Sequence, residues 1–410
     1  MSVQKREWPG GDGKKRVAYR VRWKDEAGSW QSRSFDRERD ALNFDADVRL
    51  KKQRGTLGQL NAGTETLDAY TADTWIPTFA VVLSERTRRD YRKLYEKYLG
   101  PELGRVPLRD LTPERIQRWQ AEWIKAGAGP TRVRKALALL SSILQRATEA
   151  ERIHRNPASL VRPPKPRERA KVRPLVPASV EALRAAMLEP APIRVAAASA
   201  SQRPRAAYDV AMPGTPQGRL RDATLVSVLA YAGLRPGEAL ALRWGDVGEG
   251  TLNVERAVSL GAVKATKTGA TRSVRLLEPL AADLREFRMA SGRPPATALV
   301  FPSALGAPWS EAAWGNWTRR EWTRALEGAE LARARPYDLR HSFASLLLHE
   351  GRSVPYVAAQ LGHGAVMTLR VYGHVVPEFD NAPRLDPVTA IVQARAAVAQ
   401  QLPKTTREAV

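Results

Sequence analysis

The sequence contains no cysteine among its 410 residues. Disulfides and thiol chemistry are therefore excluded, and the absence fits a reducing compartment such as the cytoplasm. The chain also lacks a run of about 18 apolar residues that could span a bilayer. Its first residues, MSVQKREWPG, carry charge but no apolar core, so we expect no secretory signal.

Acidic residues are scarce relative to basic ones. Asp and Glu number 43 against 66 Lys and Arg, which gives a formal net charge of +23. An excess of this size favours a polyanionic partner, either nucleic acid or an anionic membrane surface. The missing apolar segments favour nucleic acid, although a basic surface that serves only solubility is the simpler alternative.

Histidine is also rare, and its distribution is uneven. Of five histidines in the chain, four lie between Arg335 and His374. They are His341, His349, His363 and His374. The spacing does not match a helical metal pair, and no cysteine is available, so we expect no metal.

Residues 1–55 are predicted to form a small sheet with a helix. Along A-Y-R-V-R-W-K, basic side chains alternate with aromatic and aliphatic ones, which predicts a strand with one basic face. A second strand over 30–35 and a helix that begins at Asp36 follow. The basic face suits a DNA groove, but it can equally be the solvated face of an accessory domain. The predicted DNA-binding residues here are Arg20, Arg22, Lys24 and Arg33.

Residues 64–160 have a helical pattern throughout and are predicted to form a helical bundle. Ser84 and Thr112 are predicted to cap two helices, and a long helix is predicted over 131–151. The apolar stripes of these helices are expected to form a core, whereas their basic faces suggest phosphate contacts. The predicted DNA-binding residues of the bundle are Arg86, Arg89, Arg132, Arg134 and Lys135.

A basic, proline-rich stretch at 161–177 is predicted to be a linker. Residues 178–385 follow as a mixed α+β domain, and 386–410 as a C-terminal amphipathic helix and tail. Within the larger domain, 190–218 is rich in Ala, Ser, Pro and Arg, and we read it as an insertion without an assigned function. Helix breaks are expected at Gly233 and Pro236.

The strands of the larger domain are short. Segments 251–258, 262–267 and 272–276 are predicted to pair in one small antiparallel sheet, with Lys267 at its hairpin.

Five side chains of this domain form a set that can cleave a phosphodiester. Arg235 and Arg340 can bind the non-bridging oxygens and neutralise charge in the transition state. Tyr372 can attack phosphorus, and nearby guanidinium groups would favour its phenolate. Lys267 can protonate the leaving 5′-oxygen, and His363 can donate a hydrogen bond or move a proton. A covalent 3′-phosphotyrosine would conserve the bond energy, so rejoining needs no ATP and no metal or other cofactor.

Each of these residues also has an ordinary structural interpretation. Arg235 can cap a helix, Lys267 can be a solvated turn residue, and His363 can be a helix-terminal structural histidine. Nine other tyrosines compete with Tyr372 as the nucleophile. His341 is expected to be structural and to pack beside Arg340, and Glu238 is expected to orient Arg235.

The motifs resemble those of the tyrosine recombinase family, specifically the phage-type integrases. The A-G-L-R-x-x-E segment of that family is matched at 232–238, the hairpin lysine at Lys267, and the H-x-L-R-H-[ST]-F-A box at 337–344. The L-G-H box is matched at 361–363, and the nucleophile nine residues later at Tyr372. The motifs occur in the order and at the separations that the family shows. The resemblance covers nearly the whole chain.

The resemblance implies a multidomain, mainly α fold. It comprises an N-terminal β-sheet-plus-helix arm module at 1–55, a helical core-DNA-binding domain at 64–160, and an α+β catalytic domain with a small antiparallel sheet at 178–385. The implied function is a site-specific DNA recombinase of mobile genetic elements. Implied partners are double-stranded DNA attachment sites, three further copies of the chain in a tetramer, and a DNA-bending accessory protein or a directionality factor. The C-terminal helix is expected to dock on a neighbouring protomer, and the location to be the cytoplasm of a bacterial host, associated with DNA.

One position departs from the family pattern. Tyr337 stands where the family usually has histidine, three residues before the second arginine. We expect Tyr337 to orient the phosphate or Tyr372, with the Tyr372 proton leaving by water or another group; the alternative is that the family tolerates this exchange without consequence. Two other classes of function stay open at this point. They are a non-catalytic DNA-binding regulator and a type IB topoisomerase-like relaxing enzyme.

Overall fold

The chain forms two compact units, residues 1–169 and 170–410. The computed structural model describes residues 3–9, 15–25, 28–57, 60, 62–166, 174–190, 215–265, 271–303, 306–372 and 386–401. The predicted insertion at 190–218 lies almost wholly outside these residues. The predicted domain boundaries stay predictions.

The first unit begins with a three-stranded antiparallel sheet, β1 (Gln4–Pro9), β2 (Lys15–Lys24) and β3 (Trp30–Phe35), followed by helix α1 (Glu38–Gln53). Val21 and Trp23 are buried against the helix, as the alternation predicts. Strand β1 was not predicted. It is exposed along its whole length and has no apolar face, so its pairing with the edge of β2 is a tertiary event with little sequence signal.

The outer face of this sheet is basic. Cross-strand partners share a face, and Arg20 and Arg22 pair with Ser34 and Ser32. Arg33 instead pairs with Val21, on the face that carries the core. Its guanidinium lies 5.2 Å from the ring centroid of Phe44 on α1. Arg33 is exposed, as predicted, but it does not belong to the outer basic face.

A helical bundle forms the rest of this unit, and its long helix buries the predicted apolar stripe. Ser84 and Thr112 accept hydrogen bonds from Thr87 N and Arg115 N, so both predicted caps are confirmed. The helices are α2 (Leu67–Tyr70), α3 (Ile76–Thr78), α4 (Glu85–Leu94), α5 (Gly100–Leu103), α6 (Pro113–Lys125) and α7 (Pro130–Glu149), with π-helical turns at Thr71–Trp75 and Tyr95–Leu99 and 3₁₀ turns at Ala80–Val82, Leu108–Asp110 and Pro157–Leu160.

The second unit is organised around one helix, α9, which is buried on nearly all sides because α8, α11 and α14 pack around it. Its described helices are α8 (Pro177–Leu188), α9 (Pro216–Tyr231), α10 (Pro236–Ala239), α11 (Glu278–Ala290), α12 (Glu311–Trp317), α13 (Thr323–Gly328), α14 (Leu339–His349), α15 (Val354–Leu361), α16 (Ala365–Tyr372) and α17 (Pro387–Gln401), with 3₁₀ turns at Trp244–Asp246 and Pro336–Asp338 and a π-helical turn at Thr318–Trp322.

The strands of this unit differ from the prediction of one sheet. The strands β4 (Thr251–Val254) and β7 (Arg272–Arg275) pair with each other, and β5 (Arg256–Ser259) pairs with β6 (Ala262–Ala265). The predicted first strand therefore breaks at Glu255. The β5–β6 hairpin closes through Leu260 and Gly261, both with positive φ, as a two-residue turn requires. That turn precedes Lys267, which lies outside the described residues.

Helix α17 packs on its own unit. Ile391 is fully buried, and Arg395 binds Glu181 at 3.0 Å and Asp283 at 2.7 Å, on α8 and α11. The expectation that this helix docks on a neighbouring protomer stays a prediction. Buried carboxylates that are left unpaired cost free energy. The network therefore favours the position of α17 in which Arg395 contacts both Glu181 and Asp283.

The fold class is the predicted one, mainly helical with small antiparallel sheets. Among the described helices, none combines the length and apolar character needed to cross a bilayer.

Candidate active site

A helix junction presents Arg235. Helix α9 ends at Tyr231, and Gly233 adopts a φ of +60°, where a Cβ would lie 2.3 Å from the ring of Phe343. Only glycine fits this turn without strain. The chain then enters α10 at Pro236 with Arg235 as its first flanking residue, as predicted. The Arg235 side chain keeps 38% of its surface exposed.

Glu238 holds this arginine in place. Its Oε1 accepts from Arg235 Nη1 at 2.7 Å, and its Oε2 accepts from the Arg235 backbone N–H at 2.8 Å. A second arginine, Arg272 on β7, donates to both oxygens at 3.0 and 2.6 Å. Burial alone would raise the pKa of Glu238, but the hydrogen bonds and charges of Arg272 and Arg235 lower it to about 2. The carboxylate is therefore ionised, and it orients arginines, as expected.

Arg340 lies in the first turn of α14 and is 1% exposed. Its guanidinium donates to the carbonyl oxygens of Gly233 and Leu361, which terminate two different helices. Burial and the nearby charge of Arg235 lower its pKa to about 10, so it remains a cation at neutral pH. Arg340 thus joins the Arg235 junction to the end of α15.

His363 follows the αL residue Gly362 that ends α15, and its N–H donates to the carbonyl of Ala358 at 3.0 Å. Its Nε2 lies 3.0 Å from Arg340 Nη2. Because a guanidinium can only donate, Nε2 accepts and Nδ1 carries the proton. Burial and the charges of Arg340, Arg235 and Arg272 lower the pKa of His363 to about 4. The ring is neutral, with Nδ1–H as its remaining donor.

Tyr372, the last residue of α16, is buried at 1% exposure. Its hydroxyl lies 2.6 Å from Nδ1 of His341, the neighbour of Arg340 on α14. Burial raises the pKa of Tyr372, and Arg340 partly opposes the shift. The expectation that His341 is structural stays a prediction; in addition, its ring contacts the hydroxyl of the predicted nucleophile.

Tyr337 lies beside this pair. Its ring packs edge-on against His341 at a centroid distance of 5.8 Å, and His341 packs against Tyr372 at 5.5 Å. The imidazole therefore stands between the two phenol rings. The orienting role expected for Tyr337 stays a prediction.

The structure brings together Arg235, Arg340 and His363. Tyr372 contacts the imidazole of His341, which follows Arg340 in the sequence. Lys267 and His374 lie outside the described residues. The predicted DNA-binding residues are in the first unit, where most are exposed on two separate surfaces, the outer sheet face and the basic sides of α4 and α7.

Two residues of the site were missed or misread from sequence. Arg272 shares the face of β7 that carries the buried Val274, and a charge on a buried strand face signals a buried partner. His341 adjoins Arg340 in the sequence. Its contact with the Tyr372 hydroxyl arises only in the tertiary structure, where the end of α16 lies beside α14.

The chain is similar to known proteins in sequence and in fold. Residues 210–378 match the Phage integrase family, and residues 69–124 match the Phage integrase, N-terminal SAM-like domain. The chain is 30% identical over 167 residues to tyrosine recombinase XerD of Proteus mirabilis, across 39% of this chain and 49% of XerD. It is 26% identical over 300 residues to the putative prophage phiRv2 integrase of Mycobacterium tuberculosis, across 71% of this chain and 70% of that protein.

A lambda integrase tetramer bound to a Holliday junction has a similar fold, with a TM-score of 0.55 and 18% sequence identity over 92% of this chain and 97% of that one. For several of the curated relatives, the match spans slightly less than half of their length. The fold and the arginine-rich site define the class of tyrosine recombinases. Within this class, the chain belongs to the phage integrase family.

Proposed function

We propose that this protein is a site-specific DNA recombinase, an integrase that cleaves and rejoins DNA through a 3′-phosphotyrosine and so integrates or excises mobile DNA. The observation that carries the proposal is the convergence of Arg235 and Arg340 on Glu238, with His363 bound to Arg340. Tyr372 contacts His341, the neighbour of Arg340. A cluster of fixed cations and one buried tyrosine hydroxyl suits phosphoryl transfer to a phenol.

In the proposed reaction, Arg235 and Arg340 bind the non-bridging oxygens of the scissile phosphate. The Tyr372 oxygen attacks phosphorus, and the bond to the 5′-oxygen breaks. Lys267 gives a proton to that oxygen, and Nδ1–H of His363 donates to the phosphorane. A 5′-hydroxyl of another strand then attacks the phosphotyrosine, which releases Tyr372 and joins the strands. Tyr337 is proposed to support Tyr372 through the ring of His341.

Attack by Tyr372 requires a local movement. The side chain is 1% exposed, whereas Val366 on the same helix is 83% exposed. A DNA phosphate cannot reach a hydroxyl buried to this degree. We therefore propose that α16 shifts when DNA binds, far enough to uncover the Tyr372 oxygen while its contact with His341 is kept. Such a shift would couple cleavage to assembly on the correct site.

DNA contacts are proposed on the first unit. The outer sheet face carries Arg20, Arg22 and Lys24, with the exposed Trp30 at its edge. The bundle contributes Arg86, Arg89, Arg132, Arg134 and Lys135. Arg33 is a weaker candidate because it lies on the opposite sheet face. The lambda integrase tetramer on a Holliday junction motivates the proposal that four copies act together.

The test is covalent capture of DNA. The purified full chain is incubated with nicked duplexes of randomised sequence, in which the short cleaved fragment diffuses away and traps the adduct. Denaturing electrophoresis should reveal a protein–DNA adduct, and sequencing of the trapped DNA gives the attachment site. Tyr372→Phe should abolish the adduct, because it removes the attacking oxygen. Tyr356→Phe, a second tyrosine of the same unit, is the matched control.

Two outcomes would overturn the proposal. An absence of adduct with the wild-type chain would favour a non-catalytic DNA-binding regulator. Relaxation of supercoiled plasmid without sequence preference, in place of strand exchange between two sites, would favour a topoisomerase-like enzyme.

A further inference from the structure

The protein resembles its family in the arginine cluster, but its proton acceptor for Tyr372 is unassigned. The usual histidine position holds Tyr337, whose phenol is a poor base at neutral pH. The acceptor should lie within hydrogen-bond reach of the Tyr372 oxygen. Among the described residues, His341 Nδ1 meets this requirement, at 2.6 Å.

The other histidine of the site is unsuited to the task. The Nε2 lone pair of His363 is engaged by Arg340 at 3.0 Å, and its Nδ1 carries the proton. A ring in this state can donate a hydrogen bond but has no free lone pair. His363 therefore cannot take the phenolic proton without first losing its contact with Arg340.

His341 Nδ1 can accept from the Tyr372 hydroxyl in the tautomer that carries its proton on Nε2. Burial lowers its pKa; Asp338 opposes this shift, and Arg340 and Arg335 add to it. The ring is therefore mostly neutral at pH 7. Tyr337 packs edge-on against it on one side and Tyr372 on the other, which fixes its position. The groups that face it are Tyr337, Asp338, Arg335, Arg340, His363 and Tyr372.

We propose that His341 is the catalytic base of DNA cleavage, in place of the histidine that the family has at the position of Tyr337. The inference rests on the proposed recombinase function. The Tyr372 oxygen forms its bond to phosphorus and gives its proton to His341 Nδ1, while the 5′-oxygen leaves with a proton from Lys267. In rejoining, His341 returns the proton to the departing Tyr372 oxygen.

The decisive variant is His341→Asn. The asparagine Oδ1 can accept the same hydrogen bond from Tyr372, but it cannot take the proton. We expect adduct formation with the nicked duplex pool to slow by about 10²- to 10⁴-fold, the usual contribution of a general base. DNA affinity and the thermal unfolding midpoint should stay near those of wild type. His349→Asn, two turns later on the same helix and bonded to Ser345, should cleave at the wild-type rate.

Two further readouts separate a base from a residue that merely packs. The wild-type rate should fall as the pH drops below the lowered pKa of His341, and His341→Asn should lack this dependence. On the duplex recovered from the pool, a sulfur-substituted 5′ leaving group needs no proton. It should rescue Lys267→Ala but leave His341→Asn slow, because the missing group acts on the nucleophile.

Each result decides a different point. If the wild type forms the adduct and His341→Asn forms it equally fast, the inference is wrong. The contact between His341 and Tyr372 would then only hold the tyrosine in its buried position. Rescue of His341→Asn by the sulfur leaving group would also overturn it, since the residue would then act on the leaving oxygen. If the wild type forms no adduct, the recombinase proposal itself fails, and the inference fails with it.

Discussion

Arg272 donates to both carboxylate oxygens of Glu238, at 3.0 and 2.6 Å, from strand β7, 34 positions further along the chain. The same carboxylate orients Arg235, so one buried anion aligns two cations. The arrangement makes Glu238 the residue on which the shape of the cluster depends.

Glu238→Gln should destabilise the fold by about 3–5 kcal/mol at pH 7, because it leaves two arginines facing an amide. The folded pKa of about 2 lies below the ordinary 4.5, so the stabilisation is present above pH 4.5 and is lost as the pH falls through 2. Denaturant unfolding at pH 7 and pH 3 should show a smaller difference from wild type at pH 3. The exposed Glu286→Gln is the control; a pH-independent difference would contradict the prediction.

Gly233→Ala should cost about 2–4 kcal/mol, from left-handed backbone strain and from the clash of its Cβ with the buried Phe343. Gly292 has a similar φ of +76°, and a Cβ added there would meet no atom within 4 Å. Gly292→Ala therefore measures the cost of the backbone strain without a clash. It should cost about 1–2 kcal/mol. Equal unfolding free energies for the two variants would show that the Phe343 contact relaxes without cost.

Arg395→Met should loosen α17, because it leaves Glu181 and Asp283 with one arginine fewer in a buried network. We expect a loss of about 3 kcal/mol and faster hydrogen exchange of α17 amides. Arg285→Met, which breaks an exposed ion pair with Glu278 on α11, should change stability by less than about 1 kcal/mol. Unchanged exchange of α17 in Arg395→Met would contradict the anchoring role.

Nitration of the protein without DNA should modify Tyr337, which is 36% exposed, and spare Tyr372, which is 1% exposed. Burial also raises the pKa of Tyr372 and so depletes the reactive phenolate. Peptide mapping by mass spectrometry gives both rates in one sample. Addition of intact duplex, whose cleavage is reversible and does not trap Tyr372 as an ester, should increase nitration of Tyr372. Equal nitration of Tyr372 with and without DNA would argue against a movement of α16.

Arg22→Ala should weaken DNA binding at all sequences and reduce the salt slope by about 1, as expected for a lost phosphate contact. Arg33→Ala should leave the salt slope unchanged and lower stability by about 0.5–1 kcal/mol, because its guanidinium packs on Phe44. Anisotropy titrations at several salt concentrations measure the salt slopes of both variants, and denaturant unfolding measures the stability of Arg33→Ala. A similar loss of salt slope in the two variants would show that both sheet faces contact DNA.

Much of the fold was predictable because its signals are local. The caps at Ser84 and Thr112, the break at Gly233 and the alternation of β2 follow from short-range rules of backbone geometry and side-chain period. Strand β1 and the division of the second sheet were not predictable in this way. Both depend on which exposed edges meet after the chain has folded.

The sequence by itself predicted Arg235, Arg340, His363 and Tyr372 as site residues, because the motifs that carry them are contiguous. Only the tertiary structure decided which of these side chains contact one another and which further residues join them. Arg272 enters the site through the pairing of β7 with β4, and His341 meets Tyr372 through the packing of α16. Hydrogen bonds between distant segments depend on positions within a few tenths of an ångström, and a linear pattern does not encode distances of that kind.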